Sequence, residues 1–142
     1  MKHLDSDSLH IHSIQNVMSS YCRCIDTKKW KEFQELFIEN ATMIFQDEEG
    51  KHLYEFDGPE PLATSAEEAI GQALTLHHLH NPEINLLNES EATGIWSMED
   101  RFYSPTNAPH PFFHGAGYYH VRFVHLANRW HISELVLVRL RL

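Results

Sequence analysis

Apolar side chains recur at Ile11, Ile14, Val17, Met18, Tyr21, Cys22 and Ile25. Steps of three and four gather them on one stripe, which predicts an amphipathic helix. Asp7 or Ser8 is placed to cap its start. The pattern breaks at Asp26-Thr27. Thr27 can cap a second, shorter helix whose stripe is Trp30, Phe33, Leu36 and Phe37. The period then falls to two. Ala41 to Gln46 predicts a strand, Asp47-Glu48-Glu49-Gly50 a turn, and His52 to Phe56 the returning strand of a hairpin. Gly58-Pro59-Glu60-Pro61 interrupts the chain. Ser65-Ala66-Glu67-Glu68 has the form of a capping box opening a third helix, with Ala69, Ile70, Ala73, Leu74 and Leu76 on its apolar side.

From His77 onward the spacing is that of sheet. Strands are predicted over His77 to Leu87, Ala92 to Ser104, Gly115 to Leu126 and Arg129 to Leu142. They are separated by a turn at Asn88 to Glu91, a proline-rich loop from Pro105 to Pro111 and a tight turn at Ala127-Asn128. Pro82 implies a bulge or an edge position in its strand. Helices first and long hairpins later predict an α+β domain with helices on one face of an antiparallel sheet. Strands of about 12 residues exceed the usual five or six, so they must twist and curl. A curled sheet closed by helices encloses a pocket.

Composition narrows the function. A chain of 142 residues fits one domain, 1–142, with one core. The formal charge is −9 with histidine neutral, and the basic residues are scattered. Nucleic acids and anionic membranes both call for clustered cations, so neither is an expected partner. The cationic run Lys28, Lys29 and Lys31 fits a solvated helix face. Cys22 and Cys24 lie two apart in a helical pattern and point away from each other, which argues against a disulfide. The first eight residues contain Asp5 and Asp7 and no apolar run, so the expected compartment is the cytoplasm.

The strand from Ala92 carries the sharpest chemical signal. Its alternation puts Trp96, Met98, Asp100 and Phe102 on one face. A carboxylate among three large apolar groups needs a partner or a raised pKa. His77 follows directly on the helical stripe and is placed to point inward. Beside an inward Asp100 on the next strand it becomes a candidate base, with the carboxylate holding its tautomer. Tyr21 lies on the stripe of the first helix. Asp26 lies at that helix's C-terminus, the unfavourable end of the dipole for an acid. No Ser or Cys nucleophile has an obvious setting, and no G-x-G-x-x-G, Walker-type loop, H-E-x-x-H or paired C-x-x-C is present, so proton transfer is favoured over covalent, cofactor or phosphate chemistry. Twelve histidines invite a metal reading through His77, His78 and His80 with His110, His114 or His120. On a regular strand His78 and His80 face away from His77, which weakens it.

Four segments carry a family resemblance. They are Tyr21-Cys22-Arg23-Cys24-Ile25-Asp26 with Trp30, then 77–84 (His-His-Leu-His-Asn-Pro-Glu-Ile), 92–101 (Ala-Thr-Gly-Ile-Trp-Ser-Met-Glu-Asp-Arg) and Val138-Arg139. Over nearly its whole length the chain resembles the SnoaL-like group of the nuclear transport factor 2-like fold, and within it the bile-acid 7α-dehydratases. The resemblance implies a cone-shaped fold, with three N-terminal helices on a strongly curved antiparallel sheet. It implies a cofactor-free lyase or isomerase acting on a hydrophobic, cyclic or polycyclic carbonyl compound, with Tyr21, Asp26, His77 and Asp100 as catalytic residues. In that scheme His77, backed by Asp100, removes a proton, and Tyr21, oriented by Asp26, stabilises the enolate or protonates the departing hydroxyl. Phe45, Trp96, Met98, Phe102, Tyr119 and Arg139 would line the pocket, with Phe45 standing where the dehydratases carry a second pocket tyrosine. A homodimer or homotrimer built through the sheet is also implied. The alternative is a non-catalytic ligand-binding or oligomerisation module of the same fold.

Overall fold

The computed structural model describes residues 5–105 and 112–141. Nine elements follow one another: α1 Ser6–Asp26, α2 Trp30–Gln34, β1 Phe37–Gln46, β2 His52–Asp57, α3 Pro59–Ile70, β3 Leu74–Leu86, β4 Glu91–Tyr103, β5 Phe112–Leu126 and β6 Arg129–Arg141. All six strands form one sheet in the order β2-β1-β6-β5-β4-β3. Every pairing is antiparallel except β1 with β6, which is parallel. The expected antiparallel sheet therefore contains one parallel junction, where the N-terminal hairpin joins the last strand. The architecture is the α+β cone, with helices packed against a curved six-stranded sheet.

The stripe of α1 is buried as its spacing requires: Ile14, Met18, Tyr21, Cys22 and Ile25 are all in the core. They meet Phe33, Met43, Trp96, Phe123 and Leu135. Burying a side chain of that size is worth about 1.5–3 kcal/mol each. α1 packs on β3 and β6, and α3 packs on β1 and β2. Among the described residues, no helix is long and apolar enough to cross a membrane.

Several boundaries differ from those predicted. The cap of α1 is Asp5, whose Oδ1 accepts from the Asp7 amide at 3.1 Å. Thr27 does not open α2; its hydroxyl donates back to the Arg23 carbonyl at 2.7 Å and closes α1. α2 ends at Gln34, and Phe37 already belongs to β1. α3 begins at Pro59, not at Ser65. Gly58 supplies a positive φ of 89° for the entry, and Pro59 has the fixed φ and missing N–H suited to a first helical position. α3 also stops at Ile70, so Leu74 and Leu76 are strand residues of β3. Pro82 fulfils both expectations: β3 is an edge strand, and its register shifts between His80 and Glu83, where Asn81 takes a φ of 50°. Most of the predicted 105–111 loop, including His110 of the metal reading, lies outside the described residues.

Candidate functional site

α1 supplies Tyr21, Ile25 and Asp26 from its C-terminal end. β3 brings Thr75 and His77, which alternation places on one face. Together they resolve the acid at the wrong end of the dipole. Asp26 Oδ1 accepts from the Thr75 hydroxyl at 2.9 Å and from His77 Nδ1 at 2.7 Å, while Oδ2 accepts from the His77 backbone N–H at 2.9 Å. Three donors replace the water and the favourable dipole that the carboxylate lacks. An ionised carboxylate only accepts, so the imidazole carries its proton on Nδ1 and leaves Nε2 with a free lone pair. The Asp26 and His77 side chains are 20% and 13% exposed, which shields the bond from solvent.

The expected His77–Asp100 pair is not formed. The two residues are cross-strand neighbours, yet Asp100 turns to Arg139. Arg139 Nη1 donates to Asp100 Oδ1 at 2.9 Å and Nη2 to Oδ2 at 2.8 Å, a bidentate fork that satisfies both oxygens. Asp100 is only 5% exposed. Asp26, which arrives from the helix side, takes the role expected of Asp100. Nor does Asp26 orient Tyr21: the Tyr21 hydroxyl shares a hydrogen bond with that of Tyr119, with ring centroids 5.5 Å apart.

Burial pushes the Tyr21 and Tyr119 hydroxyls well above the ordinary phenol range, so both are neutral donors at any physiological pH. The Tyr119 proton bonds to Tyr21, an interaction that pulls against burial at Tyr21. Burial works against the charge on Arg139, but the hydrogen bonds and charge of Asp100 outweigh it and hold the guanidinium above its usual pKa. Cys22, beside this group, is pushed up to about 12 by burial, with the Asp26 charge adding to the effect.

Two adjoining chambers open onto these groups. The inner one, about 280 Å³, is lined by Tyr21, Tyr119, His77, Asp100, Arg139 and apolar side chains such as Ile25, Phe33 and Leu137. The outer one, about 680 Å³, shares His77, Asp100, Arg139, Phe45 and Tyr54 with it and extends to Phe102, Phe112 and Phe113. Phe102 and Phe113 stack at 5.1 Å with their planes 11° apart.

Four residues expected in the wall are there: Phe45, Phe102, Tyr119 and Arg139. Trp96 and Met98 are not. They are 3% and 2% exposed, and Trp96 packs edge-on against Phe123. Core side chains fill the concave face at that level, and only the last turns of β4's alternation reach the cavity. The residues missed from sequence are Thr75, whose strand was assigned to a helix, and the α3 wall of Ser65, Ala66, Ala69 and Ile70. Thr75 shares its face with His77, a signal that a correct strand start would have exposed. Among the described residues no group of three or more His, Cys, Asp or Glu gathers where it could hold a metal ion. His80 and His114 lie near Glu99 instead, at 3.7 and 3.6 Å.

Comparison with known proteins matches this architecture. A probable cyclase of Gibberella zeae is 23% identical over 135 residues, covering 89% of each chain. The structure of a putative scytalone dehydratase from Novosphingobium aromaticivorans superposes with a TM-score of 0.82 at 20% identity, covering 95% of this chain and 87% of the other. A hexachlorocyclohexane dehydrochlorinase superposes with a TM-score of 0.79 at 17% identity, covering 96% and 89%. The family model of the SnoaL-like domain matches residues 6–136, nearly the whole chain, and the chain belongs to that family.

Proposed function

We propose that this protein is a cofactor-independent acid–base lyase of the dehydratase type, or an isomerase using the same groups, acting on a hydrophobic cyclic carbonyl compound. The observation that carries the proposal is the 2.7 Å bond from His77 Nδ1 to Asp26, made at the edge of a chamber that Tyr21 also lines. With Nδ1–H held by Asp26, Nε2 is the basic atom left to face a ligand. It takes a proton from the carbon beside the carbonyl. Asp26 stabilises the imidazolium that results. Tyr21 donates its proton toward the carbonyl oxygen or the departing hydroxyl, and Tyr119, bonded to the Tyr21 oxygen, supports the negative charge that then develops there. The hydroxyl leaves as water, carrying either the Tyr21 proton, which the His77 imidazolium then replaces, or the proton taken by His77 itself, so the substrate loses one H and one OH. In the isomerase variant the proton returns to a different carbon.

The names borne by similar proteins, a cyclase, a dehydratase and a dehydrochlorinase, support chemistry of this kind. The test is a screen of hydrophobic hydroxy-ketones for loss of water by mass spectrometry. His77→Ala is expected to lower turnover about 10²–10⁴-fold, with circular dichroism and melting unchanged. Full activity in that variant ends the proposal. Tight binding with no conversion of any compound supports a non-catalytic binding module instead.

A further inference from the structure

Asp100 and Arg139 are not on neighbouring strands. β4 and β6 are separated by β5, and the ion pair must cross over it. The residue of β5 opposite Asp100 is Gly115, and the residue opposite Arg139 is Gly117. A Cβ at position 115 would stand 2.5 Å from Arg139 Nη1 and 2.5 Å from Asp100 Oδ1, in the path of the fork itself. The backbone at 115 does not need glycine, because its φ lies outside the left-handed region. Its lack of a side chain leaves the notch through which the guanidinium reaches the carboxylate.

Closing that pair changes what the chamber can attract. Among the described residues three cationic or potentially cationic groups line it, and each has an acid already: Arg139 has Asp100, His77 has Asp26, and Arg101 has Glu99 at 3.0 Å. With His77 neutral, Asp100 and Arg139 cancel, and Asp26, bonded to His77, leaves one net negative charge beside the chamber among the described residues. Among the described residues a ligand carboxylate or phosphate therefore meets no unpaired cation there, and it meets a repulsive field in a water-poor setting.

We infer that Gly115 is a specificity-determining residue: by letting Arg139 close on Asp100 it reserves the chamber for uncharged ligands and turns away their carboxylate counterparts. This rests on the reading above that the chamber binds a ligand. It adds the charge of that ligand and the residue that selects it. Gly115→Ala is a usable probe because the added methyl meets the tips of two side chains. Arg141 O, the nearest backbone atom among its three closest contacts, is 3.4 Å away. The strand can persist while the fork is pushed apart.

The experiment measures binding of a matched pair of probes, 2-naphthamide and 2-naphthoate, by calorimetry at pH 8, above the ordinary imidazole range. Wild type is expected to prefer the neutral amide by about tenfold or more. Gly115→Ala should bring the ratio toward unity, and Asp100→Asn, which leaves Arg139 charged and unpaired, should invert it. Adding Arg139→Gln to Gly115→Ala should abolish the gain in naphthoate affinity, and the ¹⁵N signals of the Arg139 guanidinium should move in the single variant. Equal binding of both probes by wild type overturns the inference. So does a folded Gly115→Ala protein with an unchanged ratio, or a Gly115→Ala chain that does not fold. If neither probe binds any variant, the ligand-chamber reading falls and this inference with it, whereas equal binding removes the charge selectivity alone.

Discussion

Replacing Asp26 with asparagine keeps the shape of the side chain and removes its charge, and the three hydrogen bonds it accepts decide the outcome. The carboxylate serves Thr75 Oγ1 and His77 Nδ1 through one oxygen and the His77 amide through the other. An asparagine has one oxygen and one NH₂ group, which only donates. If its oxygen faces the imidazole, its NH₂ meets the His77 backbone N–H, donor against donor. If it is flipped, the NH₂ requires His77 Nδ1 to become an acceptor. The proton then moves to Nε2, and the basic lone pair leaves the chamber. Loss of a charge-assisted bond predicts destabilisation of about 1.5–3 kcal/mol, read by urea unfolding. Loss of the correct tautomer predicts a fall in turnover of about 10²–10⁴-fold, equivalent to about 3–5 kcal/mol of barrier. The ¹⁵N shifts of His77 should show a protonated Nδ1 in the parent and a protonated Nε2 in a flipped variant. An Asp26→Asn protein with parental stability, parental tautomer and parental rate would refute the reasoning.

Arg139→Met strands a carboxylate that is almost wholly buried, so urea unfolding should show a loss of about 3–5 kcal/mol, larger than the loss in an Asp100→Leu/Arg139→Met double variant. The two buried phenols make stability fall at alkaline pH. Burial raises their folded-state pKa above the unfolded value near 10, so the contribution is complete below about pH 10 and declines as pH rises beyond it. Spectrophotometric titration should find two tyrosines that stay protonated while exposed ones ionise, and five normal titrations would count against the buried pair. Cys22 and Cys24 are both buried with raised pKa values, so a thiol reagent at pH 8 should label them only after unfolding. Rapid labelling of the native protein would contradict their placement.

Much of the fold was legible because the two periods are clean. The Ile14–Ile25 stripe and the Trp96–Asp100 alternation are both buried as written. What failed were local look-alikes. Ser65-Ala66-Glu67-Glu68 has the form of a helix start, but Gly58-Pro59 is where the backbone turns into α3. Leu74 and Leu76 continue a helical count while lying on a strand. Three of the four proposed catalytic residues, Tyr21, His77 and Asp100, line one cavity, and Asp26 reaches it only through its bonds to His77. Their partnerships were beyond sequence, because strand neighbours can be inferred and crossings over a strand cannot. Nothing in the sequence around Asp100 points to a guanidinium 39 positions later, and a glycine that matters by having no side chain leaves no pattern to read.

The parallel junction of β1 with β6 bears on how the molecule is made. Phe45 pairs with Leu137, so the first hairpin finds its permanent neighbour only when β6, which follows β2 after four intervening elements, is available. A chain still emerging from a ribosome can form α1 and the β1–β2 hairpin. The strand that joins that hairpin to the rest of the sheet does not yet exist. Until it arrives, the inward edge of β1 is an open row of amides and carbonyls able to pair with the wrong chain. Such long-range closure slows folding, and truncation near the C-terminus should leave an aggregation-prone half-sheet rather than a smaller working protein.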